Sequence, residues 1–510
     1  MKLAFIWIKK YVVDLCTRIT RTYFPKVHVS GTLEARFCII PEPYESTYDD
    51  GIYKRPQTVS VTLSEHRDLF ATLVGDIYPY TFTEHGTVVC QKEILKDSHA
   101  YKLIVTAEKI ILTYQDEQTF RYAVSTLIQL LQKEEIPTGT IYDFPTYAWR
   151  GLHIDVARHF MPVSFIKEVI RKMYLQKLNI LHLHLTDDQG WRFESKQYPK
   201  LHLLGSKRRE TVIGNKLVPF IHMQYKGDGI PHGGFYTQDA LRELVDYARA
   251  YGIEIVPEID IPGHGTALLV AYPEHAAHTP PKEVQTDWGV FHNMLSPEEK
   301  TITFLQNIFK ELSDVFPSPY IHIGGDEVPL DAYKKSSAVK KLVQEGKLTS
   351  YKDAPTYILT AIANYLKSIG RTPVMWDEAS TIAKDTGGIV MVWRDMSIMD
   401  EMIEKQIPHI CTTASHLYFD HYQHPDTKKE PLAIGGYSPI DHVYDTPVIA
   451  NHYLLGIQAN MWTEYTKTPD AVRYMLFPRT YALADIAWGK YHANLKTFLA
   501  KVQHLWDFRK

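Results

Sequence analysis

The chain has 510 residues, more than one ordinary core, and its 56 basic against 59 acidic side chains leave a formal charge of −3, so nothing electrostatic points to nucleic acid or an anionic membrane. An apolar content of 45% with 12% aromatics excludes disorder as the main character and supplies a sizeable core. The four cysteines, Cys16, Cys38, Cys90 and Cys411, are too scattered for a disulfide scaffold or a CxxC zinc site and read as free buried thiols.

The first apolar run, residues 3–8, stops at Lys9-Lys10. That is short of the roughly 7–15 apolar residues and small-residue cleavage site of a signal peptide, and no run reaches the roughly 18 residues of a membrane span. A cytoplasmic location is expected over a secreted one. Ile8, Val12, Leu15 and Ile19 recur at helical spacing, with Lys10, Asp14, Arg18 and Arg21 mostly elsewhere on the wheel. Residues 5–22 are therefore expected to form an amphipathic helix in an extension spanning 1–33, packed on the next domain rather than laid on a membrane. Over 34–140 short β-rich pieces at 36–40, 58–63 and 101–106 lead to one helical stretch at about 119–132, which predicts a small α/β domain. The Pro and Gly of residues 136–145 read as a boundary.

Over 141–510, eight apolar strand-length runs follow, at 151–155, 180–185, 253–259, 320–323, 373–376, 389–393, 409–413 and 454–459. Helical patterns at 163–178, 237–251, 302–315, 355–369 and 396–405 separate most of them, and Pro355 suits a first helical turn. Continuous apolar strands alternating with helices imply a parallel sheet covered on both faces. Eight such units predict a (β/α)8 TIM barrel catalytic domain preceded by the small α/β companion domain, with a doubly wound sheet as the alternative. After the runs stand, in order, Arg158, Asp187-Asp188, Glu258-Ile-Asp260 with His264, Asp326-Glu327, Trp376-Asp377-Glu378, Trp393-Arg394-Asp395, Tyr418-Phe-Asp420 and Trp462-Thr-Glu464. Loops after the strands build the active face of such barrels, so these residues predict one site. Acids and indoles without lysine suit a sugar.

Within His322-Ile-Gly-Gly-Asp326-Glu327-Val328 the two glycines let the backbone leave the strand, so that adjacent carboxylates turn toward one cavity. Repulsion and partial burial can hold one of two close carboxylates protonated near neutral pH, as glycosidic chemistry requires. The plainer alternative is a pair of acids favoured by a helix N-terminus.

This segment resembles the signature of the β-N-acetylhexosaminidases, the family-20 glycoside hydrolases. Arg150-Gly-Leu-His-Ile-Asp-Val-Ala-Arg158, Leu181-His-Leu-His-Leu-Thr-Asp187-Asp188, Pro257-Glu-Ile-Asp-Ile-Pro-Gly-His264, Trp376, Trp393, Tyr418-Phe-Asp420 and Gly456-Ile-Gln-Ala-Asn-Met-Trp462-Thr-Glu464 resemble that family in its order, over about residues 145–490. The front domain, opening on Ile39-Ile-Pro-Glu-Pro, resembles its usual companion. The resemblance implies an exo-acting retaining hydrolase of terminal β-linked N-acetylhexosamine in which the substrate's 2-acetamido group is the nucleophile. It implies that Glu327 is general acid and then base, that Asp326 orients the acetamido group, and that Tyr418 donates to its oxygen. Asp187 and His264 would form a relay with Glu327, Trp376, Trp393 and Trp462 would wall the pocket, and Arg158, Asp420 and Glu464 would hold sugar hydroxyls. No cofactor or metal is implied. Where the family often has a glycine in the companion's last helix, this chain reads Phe120-Arg-Tyr-Ala123, a local packing difference.

Two other classes compete. His182 and His184, followed by Asp187-Asp188, could serve a barrel metallohydrolase, although the other strand ends offer Trp and Tyr rather than more histidines. A non-catalytic sugar binder is the other, opposed by the intact Asp326-Glu327 pair. Insertions at 204–234 and 275–293 are expected at the rim, with Trp288 either a stacking platform or a loop anchor. The choice between gluco and galacto epimers, the leaving group and the oligomeric state are not legible.

Overall fold

A computed structural model describes residues 37–75, 77–214, 225–448, 450–489 and 494–506. The expected 1–33 extension with its amphipathic helix, Cys16 and part of the 204–234 insertion lie outside the described residues. Strands β1 (Glu45–Lys54), β2 (Val59–Thr62), β3 (Tyr80–Phe82), β4 (Val88–Lys92), β5 (Tyr101–Val105), β6 (Ile110–Tyr114) and β7 (Glu135–Asp143) form one sheet in the order β1-β7-β5-β6-β4-β2-β3. In β5, buried Tyr101, Leu103 and Val105 alternate with half-buried Lys102 and Ile104, the period-2 pattern of a strand covered on one face. The cover is helix Glu117–Leu130, started by Asp116, whose carboxylate accepts from Thr119 N at 2.8 Å while the Thr119 hydroxyl accepts from Asp116 N. This helix is buried nearly all round because the sheet lies on one flank and helix Val163–Leu175 on the other.

Two expectations for this domain need correction. Residues 37–40 form no strand; the backbone N–H and C=O of Ile40 bond instead to the side-chain amide of Gln129. The Pro/Gly run at 136–145 is not a linker but β7, paired with both β1 and β5. Pro137 faces Ile52 where the β1 register shifts, which tolerates a missing N–H. At Gly139, with φ +148°, a side chain would meet the Thr47 carbonyl at 2.0 Å. A short helix, Arg67–Val74, is additional.

Eight parallel strands close the barrel: β8 (Trp149–Asp155), β9 (Ile180–His184), β10 (Glu254–Ile261), β11 (Tyr320–Gly324), β12 (Thr372–Trp376), β13 (Ile389–Val392), β14 (His409–Cys411) and β15 (Leu454–Met461), with β15 returning to β8. Every expected run holds one of them. Trp149, Ile180, Val256, Val374, Ile389, Met391 and Ile410 fill the interior as a cluster of their own. Strand β10 runs on to Ile261, so Glu258 and Asp260 lie within it rather than after it.

Helix Val163–Leu175 ends earlier than its pattern suggests, because Lys177 takes a left-handed φ of 56° at the position where glycine is usual. Its buried ammonium lies 2.9 Å from Asp143 Oδ2 of β7 and 2.6 Å from the Tyr101 hydroxyl. Trp488 Nε1 and Tyr44 N fill the other Asp143 oxygen at 2.8 and 3.0 Å. Ser125 and Gln129 of the companion helix donate to the Leu175 carbonyl, satisfying an acceptor that a helix end leaves open. The two domains share this junction. Cys38, Cys90 and Cys411 are free and buried, and no described helix is long and apolar enough to cross a membrane.

Candidate active site

Alternate residues of a barrel strand face its interior. Here that rule brings together His153 and Asp155 from β8, His182 and His184 from β9, Glu258 and Asp260 from β10, His322 from β11, Trp376 from β12 and Gln458 and Asn460 from β15, all buried. Past the end of β11 the chain turns through Gly324 (φ +68°) and Gly325 (φ +102°). A Cβ at Gly324 would stand 1.6 Å from Asp260 Oδ1, so only glycine fits. Glu327 and His264, with φ of 50° and 49°, are non-glycine residues in the left-handed region, each costing about 1–3 kcal/mol that the surroundings must offset.

The turn leaves the Asp326 side chain 14% and the Glu327 side chain 40% exposed. His264 Nε2 faces Glu327 Oε2 at 3.6 Å and Asp326 Oδ2 at 3.9 Å, while Nδ1 lies 3.2 Å from both Asp187 Oδ1 and Asp188 Oδ2. Burial opposes charge on this imidazole, but Asp187, Asp188 and Glu327 outweigh it and hold its pKa well above the usual histidine range. Asp326 is pushed up by burial and by Glu327, against the pull of His264. Asp260, buried beside it, is pushed well above the carboxylate range by burial and by Asp326. Asp326 Oδ1 is buried and has no hydrogen-bond partner.

Asp187 Oδ2 is held by Arg158 Nη2 at 2.7 Å and His184 Nε2 at 2.8 Å. Despite burial, Arg158 and His264 keep it ionised well below the usual range. Arg158 also meets Asp155 at 3.2 Å and Glu464 at 3.5 Å and lies 5.0 Å over the Trp462 ring. Acids thus already engage much of the guanidinium expected to hold sugar hydroxyls. Asp420 differs: both oxygens are buried without a partner, and burial with the nearby Glu464 pushes its pKa well up. Bare buried carboxylate oxygens are acceptors awaiting donors such as hydroxyls.

The rings form a continuous wall. Trp376 lies 5.9 Å from Trp462, Trp462 lies 6.2 Å from Tyr418, and Tyr418 stacks on Trp393 at 6.1 Å and 16°. Trp376 Nε1 donates to Glu258 and Trp393 Nε1 to Glu378. Contacts thus link Asp326, Glu327, His264, Asp187, Arg158, Glu464, Trp462, Trp376, Tyr418 and Trp393, while Asp420 lies close enough to Glu464 to feel its charge. Of the two readings for Trp288, the loop anchor has the contacts: the Arg208 guanidinium lies 5.6 Å over its ring and His159 packs against it at 5.7 Å.

Sequence reasoning missed His153, His322 and the roles of Asp155, Glu258 and Asp260. Their signal is polar residues two apart inside apolar strands, as in His153/Asp155, His182/His184 and Glu258/Asp260. These side chains also bear on the metal reading, which assumed no further histidines near His182 and His184. Both nitrogens of His184 are taken, by Glu258 at 2.6 Å and Asp187 at 2.8 Å. His182 Nδ1 accepts from Gln458 Nε2 at 3.1 Å, the amide being oriented by Trp149 Nε1 at its oxygen. The His182 proton then sits on Nε2, facing Glu258 at 3.1 Å. In this arrangement the nitrogens of both imidazoles face protein side chains.

Residues 147–491 match the family described as glycosyl hydrolase family 20, catalytic domain, and residues 37–144 match its domain 2. The chain is 35% identical over 389 residues to the beta-hexosaminidase of Porphyromonas gingivalis, covering 72% of this chain and 48% of that one; it thus spans about half the length of that relative. To the beta-hexosaminidase of Akkermansia muciniphila it is 32% identical over 408 residues, 77% of this chain and 80% of the other. The GH20 exo beta-N-acetylglucosaminidase of Vibrio harveyi, solved with N-acetylglucosamine, superposes with a TM-score of 0.80 at 26% identity, over 92% of this chain and 76% of that one. A mutant Streptomyces plicatus beta-hexosaminidase, solved with its product GlcNAc, gives 0.76 at 25%, over 92% and 94%.

Proposed function

The chain belongs to glycosyl hydrolase family 20, and we propose that it removes terminal non-reducing β-linked N-acetylhexosamine, gluco or galacto, with retention, the substrate's own 2-acetamido group acting as nucleophile. The observation that carries this reading is Asp326 Oδ1, a buried acceptor without a partner, beside a wall of four aromatic rings. An acetamido N–H meeting that oxygen would be held for attack on the anomeric carbon, and the carboxylate would stabilise the positive charge growing on nitrogen. The Tyr418 hydroxyl, kept protonated by burial, donates to the acetamido oxygen. Trp376, Trp393 and Trp462 enclose the small amide and the apolar face of the ring.

Glu327, the more exposed acid, protonates the departing glycosidic oxygen and then activates water, with His264 sharing the proton and Asp187 orienting His264. Asp420 and Glu464 accept from sugar hydroxyls, with Arg158 between them. The test compares N-acetylhexosaminides with the matching 2-hydroxy sugars. The acetamido sugar should be cleaved with retention and the 2-hydroxy sugar barely turned over. A thiazoline mimic of the bridged intermediate should bind more tightly than substrate. Rapid cleavage of the 2-hydroxy sugar, or a glycosyl ester trapped on Asp326, would replace this mechanism with a two-carboxylate one. A protein that binds the sugar without cleaving it would support the sugar-binder reading.

A further inference from the structure

Glu258 plays no part in the scheme above, yet it lies fully buried on β10 at the centre of the barrel. Its partners in register are His184 on β9 and His322 on β11. Its Oε2 lies 2.6 Å from His184 Nδ1 and 3.1 Å from His182 Nε2. Its Oε1 lies 3.0 Å from both Trp376 Nε1 and His322 Nδ1. An unpaired carboxylate here would cost several kcal/mol; His322 Nδ1 accepts from Gly324 N at 3.0 Å, so the N–H groups that offset that cost are those of Trp376, His184 and His182. Two of them lead onward. His184 Nε2 reaches Asp187 Oδ2 at 2.8 Å, and Asp187 Oδ1 lies 3.2 Å from the imidazole that faces Glu327. Trp376 forms the floor of the aromatic wall, 5.9 Å from Trp462.

We infer that Glu258 is a positioning residue, one buried carboxylate that aligns the Glu327 relay through His184 and Asp187 and the acetamido wall through Trp376. The inference rests on the roles proposed for Glu327 and Trp376. With both nitrogens against carboxylates, His184 acts as a double donor; burial opposes its charge, but Glu258 and Asp187 keep its pKa well above the usual range. Arg158 and His184 share Asp187 Oδ2, which leaves Oδ1 for His264 and the Asp188 N–H. Burial pushes His182 down to about 4 and holds His153 well below the usual range, so neither of these two rings adds charge to this path.

The test uses the full chain in three variants, with aryl N-acetyl-β-hexosaminides of graded leaving-group ability. Glu258→Gln keeps the size and an acceptor for Trp376 but removes the counter-charge of His184. His184→Gln cuts the relay arm alone, and Trp376→Phe cuts the wall arm alone. His184→Gln should lose about 10–100-fold in kcat on poor leaving groups and little on activated ones, since only proton delivery is disturbed. Trp376→Phe should lose a similar factor on both. Glu258→Gln should lose on both but more on poor leaving groups, and adding His184→Gln should cost little further, because the two act as one unit. A Glu258→Gln enzyme with wild-type kcat, with equal losses on both substrates, or with effects that multiply with those of His184→Gln would overturn the inference. If Glu258→Gln does not fold, the His184→Gln enzyme decides alone: a loss independent of leaving group overturns it. Wild-type turnover and the loss in Glu327→Gln test the underlying reading separately.

Discussion

Two buried charge clusters divide the molecule, and they are finished differently. At the domain junction Asp143 accepts from Tyr44 N, Trp488, Tyr101 and Lys177, and the Lys177 ammonium lies 4.7 Å over the Trp488 ring. Every oxygen there is occupied from within the chain. In the barrel mouth Asp326 Oδ1 and both Asp420 oxygens remain bare although buried. Burying a carboxylate is costly in either place. Where the chain completes the set of donors, the charge serves the fold; where it leaves the set incomplete, acceptors remain for a ligand.

Four substitutions break or sharpen that contrast. The largest effect belongs to the open cluster: Glu327→Gln should lower kcat by about 10²–10⁴ on poor leaving groups and leave the melting temperature nearly unchanged, since Gln keeps the same backbone strain. A variant that unfolds while folded molecules retain activity would reverse the assignment. Next comes the closed cluster, where Lys177→Met strands a buried carboxylate and should destabilise by about 3–5 kcal/mol in denaturant titration. Its kcat and KM per folded molecule should match wild type, and a tenfold fall in either would make the junction part of the site.

Asp420→Asn should act in opposite directions on binding and stability. Loss of charge-assisted bonds to sugar hydroxyls should cost about 1.5–3 kcal/mol in kcat/KM, while relief of a bare buried carboxylate should raise the melting temperature. The pH dependence follows from the raised folded pKa. Below the unfolded value of about 3.9 the carboxyl is neutral in both states and the two proteins should be equally stable. As pH rises toward the folded pKa, the unfolded wild type ionises and the folded one resists, so wild type loses stability that the variant keeps. The gap in melting temperature should widen from pH 4 toward neutrality; a constant gap would mean that the folded pKa is not raised, and a gap that shrinks or reverses would mean that Asp420 is ionised and paired. The smallest effect is Asp116→Ala, which removes the cap of the junction helix and should cost about 1 kcal/mol, with unchanged kinetics.

The barrel was legible because parallel strands covered on both faces are continuous apolar runs, and each of the eight runs carries its strand. The residues just past those strands were legible too, as ordered motifs. What stayed hidden has physical causes. Pro137 and Gly139 look like breakers until a shifted register and a close approach to Thr47 give them places in β7. Lys177 looks like helix until its backbone turns left-handed to deliver the ammonium to Asp143. Glu258 looks like a strand-end acid because its burial depends on imidazoles from two neighbouring strands that only the closed barrel brings together.

The junction also bears on how these domains can be exchanged or inherited. A barrel severed at residue 145 would carry the Lys177 ammonium and the Leu175 carbonyl to a new surface, stripped of Asp143, Tyr101, Ser125 and Gln129. A companion grafted from another protein would have to bring those same groups to the same places. The two domains are therefore modular in topology but not in chemistry, and transplanting the catalytic barrel means transplanting the sheet and helix in front of it.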